Sequence, residues 1–140
     1  MINEIRSYFK SVIAEVDSDL KQHDQYFISS NISDTKKEDT YFLKIGNLTT
    51  LLQDTNFTGE FAVELQVWKN GNNDVINRLD NAYCNAIEIQ AKLMDNSRID
   101  QLDFMKGVNG ISIEVLPVED NDNLAQFTLQ FTVTVGYKSF

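Results

Sequence analysis

The residues with the widest chemical repertoire are few in this chain. His23 is the single histidine and Cys84 the single cysteine, so these 140 residues hold no paired imidazoles and no internal disulfide. A histidine beside a carboxylate, here Asp24, can act as a general base. His23 falls at the end of a predicted helix, however, where interaction with the helix dipole is the commoner role. Cys84 falls in mid-helix on the apolar side, without the helix N-terminus that activates a thiolate, and we interpret it as a packed, unreactive thiol.

The sequence contains no recognisable motif for binding phosphate or a metal ion. The six glycines form neither a P-loop nor a dinucleotide fingerprint. Glu119, Asp120 and Asp122 offer clustered carboxylates, but the spacing is not that of a calcium loop, and an acidic turn in contact with water is the favoured interpretation. Glu60 and Glu64 share a strand face without an apolar pocket that would raise a pKa. We therefore predict that the protein is not an enzyme, with no catalytic residue, no cofactor and no metal site.

Length and charge further limit the classes of protein to which the chain can belong. A chain of 140 residues that is 42% apolar is typical of one folded domain, which we predict to span residues 1–140. The formal net charge is −9, which argues against a basic face for gripping duplex DNA. No apolar run approaches the ~18–20 residues of a membrane span, and the first residues do not resemble a signal peptide. We expect neither membrane insertion nor export.

Two segments show the apolar spacing of amphipathic helices. In the first, from Ile2 to Leu20, apolar residues recur at steps of three and four. The second runs from about Asp74 to Met94 with the same spacing. Each helix has one apolar side, so each must pack against another element.

Strict alternation predicts the strands. It is clearest at Ala125–Lys138 and Phe57–Lys69, with a third strand at Ile111–Val115 and a shorter one at Tyr41–Ile45. Alternation implies one covered and one polar face, which is typical of antiparallel sheets. We predict an α+β fold of order α-β-β-α-β-β, with two amphipathic helices packed on one face of an antiparallel sheet of about four strands. The expected core places Phe127, Leu129, Phe131 and Val133 against Val12, Val16, Leu79, Ala86 and Leu93.

Three polar segments are predicted to be loops: Asp24–Thr40, Asp95–Gly110 and Val118–Asn123. Because loops carry recognition while helices and strands position them, these segments are the expected partner-binding regions. Trp68 lies on the polar face of its strand. It is either an interface anchor or a side chain packed under a loop at the strand end, and the pattern favours neither.

The arrangement resembles the tail terminator family of long-tailed bacteriophages. The resemblance is one of organisation over nearly all 140 residues: a leading amphipathic helix, the strand FAVELQVW, the helix VINRLDNAYCNAIEIQAKLM and the closing hairpin ISIEVLPVEDNDNLAQFTLQFTVTVGYK. Related neck and tail-completion proteins share this plan. It implies a structural virion protein that forms a homo-oligomeric ring, a hexamer. The ring caps the tail tube, ends tail polymerisation and joins the tail to the head.

The resemblance also implies partners and a location. The partners are further copies of the chain, the tail tube protein and a head-completion or neck protein, in a virion assembled in the host cytoplasm. DNA passes through without specific binding, and acids lining the bore would repel its phosphates. The predicted interface residues are Trp68, Arg98, Asp100, Phe104, Met105, Lys106, Glu119, Asp120 and Asp122. The alternative is a dimeric α+β small-ligand-binding module, or an enzyme with no recognisable site, which a pocket lined by Tyr41, Tyr83 and Trp68 would support.

Overall fold

A computed structural model describes residues 1–22, 38–53, 56–71, 74–118, 121 and 123–138. His23 and residues 24–37 of the first predicted loop lie outside the described residues, as do Glu119, Asp120 and Asp122.

Helix α1 spans Ile2–Val16 and buries its apolar stripe. It ends before Leu20, where the sequence pattern had placed its end. The Asp17 side chain accepts a hydrogen bond from the backbone N–H of Asp19 at 3.0 Å, and Asp17 itself has extended backbone angles. This local bond competes with helix continuation. Leu20 is nevertheless buried, because the chain beyond α1 stays close to the core.

Helix α2 spans Arg78–Leu93, and a short helix α3 follows at Asn96–Ile99. The first turn predicted for α2 is a separate turn, in which the Asp74 carboxylate accepts the backbone N–H of Asn77 at 3.3 Å. Asp95 caps α3 by accepting the N–H of Ser97 at 3.0 Å. The side of α2 that faces the sheet is formed by Ala82, Ala86, Ile89 and Leu93.

Five strands form one sheet in the order β1-β2-β3-β5-β4. The strands are β1 Lys21–Gln22, β2 Thr40–Gln53, β3 Asn56–Asn70, β4 Met105–Pro117 and β5 Leu124–Lys138. β1 pairs with β2 in parallel and every other pairing is antiparallel. The α+β class is confirmed. The expected two helices and about four strands are roughly compatible with the described elements, but the predicted order is wrong, because β1 and α3 are additional elements.

Two strands are longer than predicted because bulges interrupt their alternation. β2 continues past Ile45 to Gln53 after an irregularity between Ile45 and Leu48. β4 begins at Met105, and its pairing with β5 shifts register twice, once at Lys106 and once at Ile111. An extra residue moves the following side chains out of a simple alternating pattern. The segment 95–110, predicted to be a loop, therefore contains α3 and the first half of β4.

The core lies between the two long helices and one face of the sheet. Phe127, Leu129, Phe131 and Val133 are each at most 1% exposed, as predicted, and the rings of Phe9 and Phe131 meet edge to face at 5.5 Å. The predicted helix partners fall into two groups. Val12, Ala86 and Leu93 are buried, whereas Val16 and Leu79 are partly buried at the margin.

Candidate functional site

The predicted interface residues between Arg98 and Lys106 lie beside α1. The Arg98 guanidinium donates to both carboxylate oxygens of Glu15, at 2.7 and 2.6 Å. The hydrogen bond from Arg98 lowers the pKa of Glu15 to about 2, and Lys92 adds a second hydrogen bond. This bidentate pair fixes α3 against the end of α1.

A second contact fixes the segment that enters β4. One carboxylate oxygen of Glu4, Oε1, accepts the N–H groups of Phe104 and Met105 at 2.9 and 2.7 Å, and Oε2 accepts that of Asp103 at 2.9 Å. Burial raises the pKa of Glu4, but the three N–H donors outweigh it and the net pKa is lowered. The segment is thus held by α1 at two places, Arg98 and residues 103–105.

The predicted interface residues of this segment differ in their exposure to solvent. Arg98 is half-buried, and Asp100 and Lys106 are exposed. Phe104 is half-buried. Met105 is 1% exposed, so its side chain belongs to the core and offers no contact area in this fold.

The Trp68 side chain is buried within the folded protein. It is 4% exposed in a small cluster on the helix-free face of the sheet, with Phe42 edge to face at 5.4 Å and Leu124 and Val118 nearby. Val118 and Leu124 flank the β4–β5 connection, so Trp68 packs under the end of that hairpin. Of the two interpretations of this residue, the structure shows packing at the strand end.

The pocket proposed for a ligand-binding module does not form. Tyr41 is buried in the main core, where burial raises its pKa to about 12. Tyr83 is 43% exposed on α2, and Trp68 lies on the opposite face of the sheet. These three aromatic side chains do not line a common cavity.

Most of the exposed large apolar side chains in the described structure lie on α2 or β4. Of nine large apolar residues that are exposed there, seven lie in α2, at its two ends or in β4. They are Val75, Ile76, Tyr83, Ile87, Met94, Ile111 and Leu116. A clustered apolar surface marks an interaction site more strongly than scattered residues do.

The members of this cluster on α2 form a second stripe. At 100° per residue, Tyr83, Ile87 and Met94 lie within roughly 40° of one another and about 110° from the buried stripe. Gln90 lies on the same side, and its side chain covers Gly110 of β4, since a Cβ there would lie 2.2 Å from Gln90 Nε2. The stripe therefore adjoins β4, an edge strand of the sheet. Leu116, which pairs with Gln126, lies on the helix-free face of the sheet, and Ile111 lines a depression on that face. We name the surface formed by Tyr83, Ile87 and Met94 the α2–β4 flank.

Cys84 lies beyond this stripe and is exposed, so the prediction of a packed thiol is wrong. The predicted helix had one broad set of apolar positions, and the structure divides it into a buried stripe and an exposed one. The signal for the flank was thus present in the sequence, but the pattern does not say which stripe faces the sheet.

The helix-free face of the sheet carries a shallow depression of about 400 Å³. The small residues Gly46 and Ala62 line it together with the apolar Ile111, and Lys44, Glu64 and Gln130 contribute polar atoms. Within the described ranges, no group of three or more His, Cys, Asp or Glu residues could hold a metal ion. No helix among the described residues is long and apolar enough to cross a membrane.

Comparison with known proteins gives no family assignment. No protein-family model matches the chain, and no curated protein matches it. Among solved structures, a chain of the virion of a native gene transfer agent particle aligns with a TM-score of 0.39 and 9% identity, covering 97% of this chain and 91% of that chain. At this level of similarity, neither fold nor function is assigned from the match.

Proposed function

We propose that this protein is a structural virion subunit of the tail terminator type, which forms a ring that caps the tail tube, ends its polymerisation and joins the tail to the head. The observation that carries the proposal is the α2–β4 flank. It presents Ile87 at 54% exposure and Tyr83 at 43% on a chain with a net charge of −9. Apolar patches rimmed by polar residues are typical of surfaces that become buried in an assembly.

The shape of the flank favours assembly over ligand binding. Small-molecule sites are concave and enclose most of the ligand. The flank instead consists of the outer side of a helix beside the edge strand β4, and a surface of this kind fits another protein. The depression on the helix-free face is shallow and has mixed polarity.

The helix-free face suits a surface that lies along a DNA path. Glu60, Glu64 and Glu114 lie on it among threonine and glutamine side chains of β5, with Lys44 as a cation opposite Glu64. We assign this face to the bore of the ring, where excess negative charge repels phosphates and lets DNA pass.

The segment from Arg98 to Lys106 is assigned to contacts with the tail tube protein or a head-completion protein. Its hydrogen bonds to the carboxylates of Glu4 and Glu15 hold the segment in a fixed position on one side of α1. The side chains of Arg98, Asp100 and Lys106 are carried by this segment. A pre-ordered surface loses less conformational entropy on binding than a mobile loop does.

Electron microscopy of particles made by a phage genome that carries the gene for this chain tests the proposal. The variant Ile87→Asp places a charge in the centre of the flank. Since Ile87 is exposed, the fold should survive, which circular dichroism of the purified variant verifies. We expect tails of irregular or excessive length, or tails not joined to heads. The matched control is Asn81→Asp, an exposed position on another side of the same helix. Uniform, head-joined tails from the Ile87→Asp genome would refute the proposal.

A further inference from the structure

We infer that the open edge of β4 pairs, as an antiparallel strand, with the open edge of β2 in a second copy of this chain. In the register that we assign, Leu116 lies opposite Phe42 of the second copy and Val108 lies opposite Thr50 of the second copy. The inference rests on the proposed ring function and deepens it, because it specifies which two strand edges join neighbouring subunits.

The sheet has two edges that can accept a further strand. Among the described residues, β4 pairs with β5 on one side, and no strand pairs with its other side. At the opposite end of the sheet, β1 covers β2 at Thr40 and Tyr41. From Phe42 onward, that edge of β2 carries no strand within the described ranges. The unpaired backbone N–H and C=O groups of an edge are a template for pairing with another chain.

The strand directions allow the pairing to repeat from copy to copy. β2, β3, β5 and β4 are neighbours in that order, and each neighbouring pair is antiparallel. β2 and β4 therefore run in opposite directions. A copy that is rotated about an axis along the strands keeps its strand directions, so its β2 meets β4 in antiparallel orientation. The contact joins two different edges, and its repetition gives a closed ring when the rotation closes.

The faces and the bulges of the two strands determine the register. β2 is irregular between Ile45 and Leu48, and β4 is irregular between Gly110 and Ser112. When Ile113 is placed opposite Ile45 of the second copy, Gly110 falls opposite Leu48, and the two bulges lie side by side. On both sides of the bulges, facing residues then point to the same face of the sheet. A displacement by one residue would turn them to opposite faces, and a displacement by two would separate the bulges.

The same register accounts for where the two open edges end. Pro117 follows Leu116 and has no backbone N–H to donate to a further strand. Its partner in this register would be Tyr41, which is already paired with Gln22 of β1. Both edges therefore end at the same pair, Leu116 with Phe42 of the second copy.

The pairing brings apolar side chains together on the helix-bearing face. Leu48 is 37% exposed and lies on this face, because it pairs with Phe61. Opposite Gly110, it reaches the place where the Gln90 side chain of α2 covers β4. The α2–β4 flank adjoins that place. Leu48 of the second copy is therefore expected to contact the flank, which removes apolar surface of both copies from water.

The helix-free face offers a second apolar match and a charge match. Leu116 is 46% exposed, and its partner Phe42 belongs to the small apolar cluster on this face. Glu114 falls opposite Lys44 of the second copy, and Lys44 faces Glu64 within its own chain. The lysine is thus placed between two carboxylates on adjacent strands. Opposite charges on facing positions of antiparallel strands stabilise the pairing.

Engineered disulfides on purified protein test this register. In a Cys84→Ser background, one variant carries Lys44→Cys and a second carries Glu114→Cys. The control carries Thr49→Cys, at an exposed position on the same face of β2. Facing Cα atoms of antiparallel strands lie ~4.5–5.5 Å apart, which suits a disulfide. Within one copy, β3 and β5 separate β2 from β4, so positions 44 and 114 are too far apart to join.

The variants are mixed in pairs at about 1 mM protein in a thiol–disulfide buffer, after circular dichroism confirms folding. We expect the Lys44→Cys and Glu114→Cys mixture to form at least roughly tenfold more cross-linked dimer than the Thr49→Cys and Glu114→Cys mixture. A chain that carries both Lys44→Cys and Glu114→Cys should give a ladder of larger species on non-reducing gels, because each copy then joins two neighbours.

Three results would overturn the inference. The first is no cross-link from the Lys44→Cys and Glu114→Cys mixture, and the second is an equal yield from the control mixture. The third is a Glu114→Cys homodimer that exceeds the mixed product, which would indicate two-fold pairing of β4 with β4.

A further substitution tests the contact with the α2–β4 flank. Leu48→Asp, added to both cysteine variants, should lower the yield of cross-linked dimer roughly tenfold, because it brings a carboxylate against apolar side chains. The matched control is Ile2→Asp, at another exposed apolar residue outside α2 and β4, which should leave the yield unchanged. An unchanged yield with Leu48→Asp would also overturn the inference, since Leu48 lies inside the assigned contact.

The outcomes for the contact and for the proposed function are distinguishable. The specific cross-link, together with normal tails from the Ile87→Asp genome, would retain the self-contact and refute the terminator role. Defective tails from that genome without the cross-link would retain the role and place another partner on the α2–β4 flank.

Discussion

Replacing Glu4 with glutamine should destabilise the protein at neutral pH by about 1–2 kcal/mol. The carboxylate accepts three backbone N–H groups, from Asp103, Phe104 and Met105, at 2.7–2.9 Å. Glutamine keeps one accepting oxygen and turns an NH₂ group toward the remaining N–H donor. The variant thus loses a hydrogen bond to a charged group, worth ~1.5–3 kcal/mol when buried, and the partial solvent exposure of Glu4 reduces that value.

The stabilisation that Glu4 provides should decrease as the pH falls. The net pKa of folded Glu4 is lowered from 4.5, burial being outweighed by the three N–H donors. The stabilisation is therefore fully present above the unfolded-state value and is lost as pH falls through the folded-state pKa. Denaturant melts of wild type and Glu4→Gln should differ at pH 7 and converge in acid, with Glu60→Gln, at an exposed position on β3, as the control. A difference below about 0.5 kcal/mol at pH 7, or one unchanged at low pH, would refute the reasoning.

Three further predictions concern the sheet. Phe131→Ala should cost about 3–5 kcal/mol in denaturant melts, because it removes a fully buried ring and leaves a cavity; a loss below 1 kcal/mol would contradict the assigned core. Gly136→Ala should cost about 1–3 kcal/mol in the same assay, because its Cβ would lie 2.9 Å from the carbonyl oxygen of Phe57; unchanged stability would show that the strands separate freely there. Glu60→Lys with Glu64→Lys should create DNA retention in a low-salt mobility-shift assay, and equal retention of wild type would contradict an anion-repelling bore.

The central strands were predictable from sequence because alternate residues of 61–67 and of 127–135 are buried on the helix-bearing face of the sheet. Phe127, Leu129, Phe131 and Val133 alternate with polar residues without interruption, and β3 and β5 were found within one residue of their bounds. Prediction failed where a strand is irregular. β2 beyond Ile45 and β4 before Ile111 contain bulges, and a bulge removes the period on which the prediction depends.

The candidate site was less predictable than the fold. Tyr83 and Ile87 have the same apolar character as Ala86 and Ile89, and only their position relative to the sheet determines which pair is buried. Sequence spacing gives the angle between the two stripes but not the rotation of the helix about its axis. The position of Trp68 was likewise decided by a tertiary neighbour, Phe42, which lies far from it in sequence.

The position of β5 between β3 and β4 has a consequence for how the chain folds during synthesis. β3 and β5 pair along their full length, from Asn56 with Lys138 to Asn70 with Leu124, although the two strands are far apart in sequence. Contacts of such high sequence separation slow folding, because a long segment must be ordered before they form. On the ribosome, the β2–β3 hairpin can form early, but its apolar face stays uncovered by β5 until the last strand of the sheet emerges. Newly made chains are therefore expected to be aggregation-prone during this interval, and slower synthesis at low temperature should raise the yield of folded protein.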